Sequence, residues 1–312
     1  LGFPEYQGTP ADEVPGAMKT AERYGLCHQT IWLSPAEVDL SEVLGAMDQP
    51  SIDGVNTYLV SQAAVSAGLK VAISGLGGDE LFGGYNTFRR VPRLAAVTKW
   101  MPVLRPLWLT LAHFVPSRQR DKFRALAWTD GSATWIYALL RCLFSPQRLE
   151  LIVNPEFLRR GLEELAMADR LSTSCEGIED DRWVVAALEV QWYMRHQLLR
   201  DADWASMAHS LEVRVPLVDL RVLEVVASSK KPLGKRDLGA TTQPRLPEEL
   251  LSRPKSGFSV PVRSWSEGKV ASPCRLHGLQ TWAAEVYRHL CGSNGYLRSG
   301  LAVEFGSDRV PR

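Results

Sequence analysis

Paired thiols are the first thing this 312-residue chain lacks. Its five cysteines (Cys27, Cys142, Cys175, Cys274 and Cys291) are odd in number, scattered, and nowhere spaced as C-x-x-C. A disulfide framework or a zinc ribbon needs paired or clustered thiolates, so free thiols in a reducing cytoplasm are the expectation. An excess of one charge is missing too. Thirty-six basic and 35 acidic residues leave a net charge of +1, which gives nothing for bulk binding to nucleic acid. No apolar run reaches the roughly 18 residues of a membrane span. The most apolar stretch, Met101 to Val115, is broken by Pro102, Arg105, Pro106 and His113, and reads as a buried helix pair. Signal peptide, internal repeat and low-complexity tract are absent as well. The first residue is Leu1 rather than Met, so the expectation is a piece cut from something longer.

What is present is an ordinary globular composition, 45% hydrophobic and 23% charged, long enough for one large domain or two lobes. Residues 1–93 alternate between strand and helix signals. Thr9-Pro10-Ala11-Asp12 and Ser34-Pro35-Ala36-Glu37 have the form of capping boxes with proline at the first helical position. Val14, Ala17, Met18 and Ala21 mark an apolar helical face that Gly25 ends, and Leu40, Val43, Leu44 and Met47 mark a second. Thr30–Leu33 is a short strand, 57–67 a helix closed by Gly68, and 69–73 a strand entering a glycine-rich turn. That alternation predicts an α/β fold with a parallel sheet. Residues 94–270 read as a mainly helical lobe, with Val184, Leu188 and Trp192 along one stripe. Residues 271–312 form a weakly patterned tail whose last seven residues are expected to fray.

Three segments carry chemistry. The turn from Ser74 to Tyr85, S-G-L-G-G-D-E-L-F-G-G-Y, follows a strand and opens towards a helix, where open α/β sheets hold ligands. Gly75, Gly77 and Gly78 let backbone N–H groups approach an anion. Asp79 and Glu80 suit that place if a divalent cation sits between them and a phosphate, since Mg²⁺ takes one or two carboxylates plus phosphate oxygens. The plainer reading makes Asp79 a helix cap. In the run from Leu198 to Asp219, Arg214 with Glu212 or Asp219 reads as an architectural ion pair. Asp219 reads as the N-cap of a helix over Leu220 to Ala227, and His209 as a satisfied core or loop histidine. The third segment, from Leu246 to Trp265, holds Lys255 in a turn between Pro254 and Gly257, fixed enough to meet charge developing in a transition state. Taken alone, Lys255 also fits a solvated surface charge.

In this order the three segments resemble the synthetase domain of class B asparagine synthetases. That family's signatures are an S-G-x-G-x-D-E-L-F-G-G-Y turn, a D-x-x-S-M-A-x-S-x-E-x-R-x-P-x-x-D run and an R-x-K-x-G-F turn, and all three stand here. Leu1-Gly2-Phe3, Asp12-Glu13, Ala21, His28 and Asp48-Gln49-Pro50-Ser51 resemble further family segments. The resemblance implies a PP-loop adenine-nucleotide fold that uses ATP and Mg²⁺ to adenylate a carboxylate, after which ammonia from a glutaminase domain displaces AMP. By the same resemblance, Ser74 and Gly75 contact the nucleotide, Asp79 ligates Mg²⁺ with Glu80 in support, and Lys255 stabilises the transition states. Lys235 is a further candidate for pyrophosphate contact. Leu76 stands where many aspartate-using members carry glutamate, and Trp204 where the pattern places arginine, which leaves the carboxylate substrate open. The family's S-G-G-x-D-S pyrophosphate loop occurs nowhere in these residues. The expectation is therefore a truncated synthetase domain, inactive in isolation, whose parent is an amide ligase. Intramolecular amide formation, as in β-lactam-forming synthetases, a partner-dependent remnant, and a homodimer all stay open.

Overall fold

The computed structural model describes residues 1–150, 152–252, 260–261 and 279–291. The described chain is mostly helical, and its one sheet among those residues has two strands, β1 (Val71–Ile73) and β2 (Glu212–Arg214). They run parallel, with Val71 opposite Glu212, Ala72 opposite Val213 and Ile73 opposite Arg214. A second parallel contact is a single bridge between Gly2 and Trp32, closed by N–H bonds from Gly2 to the Ile31 carbonyl and from Leu33 to the Gly2 carbonyl. The strand expected over Thr30–Leu33 is therefore one bridge long, and helix outweighs the expected sheet.

Helix α1 (Val14–Arg23) begins later than the first capping signal predicts. Thr9 and Asp12 turn their oxygens to the N–H groups of Ala11, Gly8 and Val14, making a tight turn ahead of the helix. Glu37 likewise closes one short turn by accepting from the backbone N–H and hydroxyl of Ser34, and Asp39 caps α2 (Leu40–Ala46) through the N–H of Ser41. Helix α3 (Gly54–Ser66) starts three residues before the expected Thr57, because the Ser51 hydroxyl accepts the N–H groups of Asp53 and Gly54. Glycines at positive φ follow α1 and α3 at Gly25 and Gly68, as the sequence predicts.

Two cores follow. Phe3, Val43, Leu59 and Trp204 join α2 and α3 to α8 (Leu199–Met207), the helix that leads into β2. The second core lies in the helical lobe between α5 (Thr87–Thr98), α6 (Ala133–Arg141) and α7 (Asp181–Leu188), where Val91, Ile136, Val185 and Leu188 are fully buried. The very short α4 (Gly78–Leu81) lies in the glycine-rich turn. From α7 to α8 the helix never breaks; Glu189–Leu198 continues it in wider π-type turns. Met101–Leu111 is one helix followed by a short 3₁₀ turn rather than a buried pair, and Val103, Leu107 and Phe114 are exposed. The tail also holds more structure than its patterning suggests. Helix α11 (Leu279–Cys291) buries Trp282 and Val286 against the first core, and the Trp282 indole N–H donates to the Ile52 carbonyl. Between them lie α9 (Leu220–Ala227) and α10 (Lys235–Ala240). No helix among the described residues is long and apolar enough to cross a membrane. Cys27, Cys142 and Cys175 are free thiols.

Candidate active site

Strand pairing lays the first two signature segments side by side. Beyond Ile73 the Ser74 N–H donates to the Arg214 carbonyl at 2.8 Å, after which the chain leaves the ladder. The Ser74 hydroxyl accepts the Leu76 N–H at 3.2 Å. Gly77 sits at φ +94°, and a Cβ there would lie 2.9 Å from Val218 Cγ2, so no other residue fits this corner without strain. The N–H of Gly77 donates to Glu80 and that of Gly78 to the Gly75 carbonyl, so both amides are engaged inside the turn. Gly75 is different: space for a side chain is open there, which leaves Ser74–Gly75 as the accessible mouth.

The neighbouring carboxylates point opposite ways. Glu80 is 1% exposed; Oε2 accepts the Gly77 N–H at 3.0 Å and Oε1 accepts the Tyr85 hydroxyl. Burial and the adjacent Glu80 push the Tyr85 phenol far above its ordinary pKa. Asp79 turns outward to the ammonium of Lys235, 2.5 Å away, with the side chains 26% and 48% exposed. Helix α10 starts at Lys235, and the Asp237 carboxylate caps it by accepting the Gly234 N–H at 2.7 Å. A Cβ on Gly84 would come within 1.9 Å of Asp79 Oδ1 and 2.7 Å of Lys235 Cε, so the pair exists because residue 84 has no side chain.

No three carboxylate, histidine or cysteine groups converge on a metal position among the described residues. Asp79 is the turn's outward-facing carboxylate, and one carboxylate is what a Mg²⁺ that brings phosphate oxygens would need here. Glu80, with each oxygen accepting a hydrogen bond in the interior, orients the turn and does not face that position. Lys255 lies outside the described residues.

In the second segment Arg214 pairs with Glu212 at 2.7 Å, both well exposed. Asp219 accepts the Arg221 N–H at 2.8 Å and caps α9; the Arg221 guanidinium and N–H hold its carboxyl down at about 2. His209 packs edge-on against the Tyr58 ring at 4.2 Å between centroids, and burial lowers its pKa. It is a half-buried histidine in the turn that follows α8, and it is not fully satisfied, since its Nε2 finds no hydrogen-bond partner among the described residues.

Sequence reasoning passed over the interior behind the turn. Asp201 is buried and accepts the Ser51 hydroxyl at 2.7 Å and the Trp204 indole N–H at 3.0 Å; burial pushes its carboxyl up to about 6. Asp53 accepts from the Tyr193 hydroxyl and from Gln197. Glu189 is fully buried against Arg141, Thr87 and Tyr137. The only signal in the sequence was a set of charges on otherwise apolar helices.

Open α/β sheets hold ligands at a glycine turn on the carboxyl end of a parallel strand, and here such a turn carries an outward carboxylate paired with a lysine. More particularly, the chain belongs to the asparagine synthase family, whose model matches residues 1–285. That family uses ATP, and its fold is of the adenine-nucleotide α-hydrolase type. The chain is 30% identical over 288 residues to glutamine-hydrolysing asparagine synthetase 1 of Bacillus subtilis (strain 168), covering 86% of this chain and 43% of the relative. Against glutamine-hydrolysing asparagine synthetase 3 of the same organism it is 26% identical over 258 residues, covering 80% and 36%. The chain thus spans less than half the length of these curated relatives. No solved structure matches it.

Proposed function

We propose that this chain is the synthetase part of an ATP-dependent amide ligase, which adenylates a carboxylate and passes it to ammonia, releasing AMP and pyrophosphate. The observation that carries this reading is the β1–β2 pairing. It sets the Ser74–Tyr85 turn, with its open Gly75 and its Asp79–Lys235 pair, against the run that ends at Asp219. In this reading Ser74 and Gly75 contact the nucleotide, and Asp79 binds the Mg²⁺ that comes with it. Lys235, released from Asp79, meets the phosphates, and Lys255 supplies a fixed cation to the transition states. Ammonia comes from glutamine hydrolysed by a glutaminase domain, and the protein works in the cytoplasm.

Intramolecular amide formation through a tyrosine–glutamate base gains no support from the pairs present. In Tyr85–Glu80 and Tyr137–Glu189 the phenol donates to a buried carboxylate, and burial drives both phenols far above their ordinary range. A phenol held protonated in this way is a poor base. Titration calorimetry with ATP, with and without Mg²⁺, tests the ligase reading on the chain and on Asp79→Asn. The expected result is Mg²⁺-dependent binding that Asp79→Asn abolishes while apo thermal stability stays close to the parent's. Equal MgATP affinity in the two proteins would remove Asp79 from the site.

A further inference from the structure

We propose that Arg141 is a positioning residue for the glycine-rich turn, acting through Tyr85 and Glu80 on Gly77 while tying the same turn to Asp53 through Tyr193. The path starts at Glu189, whose oxygens accept from Thr87 Oγ1 at 2.5 Å, Tyr137 Oη at 3.2 Å, Arg141 Nε at 3.2 Å and Arg141 Nη2. Two hydrogen bonds from one guanidinium fix its plane as well as its place. That plane lies 4.5 Å from the Tyr85 ring centre and 3.9 Å from that of Tyr193, and the two rings meet edge to face at 5.7 Å. From Tyr85 the path runs through its hydroxyl to Glu80 and on to the Gly77 N–H. From Tyr193 it runs to Asp53 Oδ2 at 3.2 Å, which Gln197 Nε2 also reaches at 2.8 Å.

The π-type segment makes this possible. Glu189, Tyr193 and Gln197 are four apart, and in turns wider than those of an α-helix they stay on one face. A buried ion pair adds little net stability over apolar residues of equal volume, but it holds its partners in one geometry. Here the geometry held is that of Gly77, at a φ few residues adopt, next to the mouth through which the proposed nucleotide enters. The inference rests on the ligase reading for the purpose of the turn, and not for the coupling itself.

Amide hydrogen exchange on the whole chain without nucleotide tests that coupling. Arg141→Lys keeps the charge and loses the planar fork; Tyr85→Phe keeps the ring and loses the bond to Glu80. Each is expected to speed exchange at the Gly77 amide about tenfold, the worth of one hydrogen bond, while helix α9 changes less than about twofold. The double variant is expected to exchange no faster than the more affected single, because both cut one path. Unchanged exchange at Gly77, acceleration spread evenly through the chain, or additive effects would each overturn the proposal. Should Arg141→Lys not fold, Tyr85→Phe decides alone: a Gly77 amide exchanging at the parent rate refutes the path. Failure here leaves the ligase reading standing, whereas an unaltered chain that binds no MgATP overturns that reading and leaves the coupling measurable.

Discussion

The helical lobe and the glycine-rich turn each carry an ion pair, and the two are built on opposite terms. Arg141–Glu189 has a carboxylate with no exposure at all and three further hydroxyl or guanidinium hydrogen bonds around the closest contact. In Lys235–Asp79 the lysine side chain is about half exposed and the carboxylate partly so. In the lobe the low dielectric makes each partner costly to leave unpaired, so the pair is permanent and directional. At the turn solvent screens the attraction, and a compact ammonium on a flexible stem is easily exchanged for another cation. The difference lies in the fully buried Glu189 with its several hydrogen bonds against the half-exposed lysine that faces Asp79.

Glu189→Ala should show the largest effect. It strands the Arg141 guanidinium and two hydroxyls in the lobe, and a loss of about 3–5 kcal/mol in urea denaturation is expected. A loss below about 1 kcal/mol would break the contrast with the turn. Gly84→Ala comes next, since its Cβ must displace the Asp79–Lys235 pair. A cost of about 1–3 kcal/mol is expected from overpacking, together with weakened MgATP binding by calorimetry. Asp201 sharpens the comparison through pH. Its carboxyl titrates at about 6 folded against 3.8 unfolded, so the native state holds the proton longer and stability falls as pH rises through that window. Asp201→Asn should flatten that part of the stability–pH curve, by on the order of 1 kcal/mol for each pKa unit. The smallest effect belongs to Glu212→Gln. The Arg214–Glu212 pair is open to solvent, and the urea denaturation midpoint of the variant should not be distinguishable from the parent's.

The parts of this structure that the sequence made legible are local. Asp219 caps a helix that runs from Leu220 to Ala227, as its spacing suggests, and glycines at positive φ follow α1 and α3 where the apolar stripes stop. The place of the glycine-rich turn at the end of β1 was readable for the same reason: its signals sit within twelve consecutive residues. Glu189 was not readable. A glutamate in E-V-Q-W-Y looks like a solvated face, and its burial depends on Arg141, 48 residues earlier. Met101 to Val115 misled in the other direction, since apolar content does not say what covers it; Val103 and Phe114 stay exposed. Among the described residues the expected sheet amounts to two strands and a bridge, because period-2 patterning marks candidate strands without naming their neighbours. In the candidate site, the pairing of Asp79 with Lys235 joins residues far apart in sequence, and spacing alone gives no hint of it.

Trp204, which the sequence resemblance sets where arginine is expected, presses its ring on Gly54: a Cβ at residue 54 would stand 2.3 Å from Trp204 Cζ2. The two positions are therefore epistatic, and the order in which they mutate matters. While the indole is present, Gly54→Ala must force the ring off Asp201, whose hydrogen bond from the indole N–H would go with it. Replacing Trp204 by arginine first removes the worst clash, leaving a Cβ at 54 at 3.1 Å from Asp201 Oδ1, but it also places a cation beside a carboxyl that the present packing keeps prone to protonation. Restoring the family's arginine is for this reason not a simple reversion. It is a two-site exchange that resets the charge of Asp201, and libraries that vary either position alone will sample mostly damaged proteins.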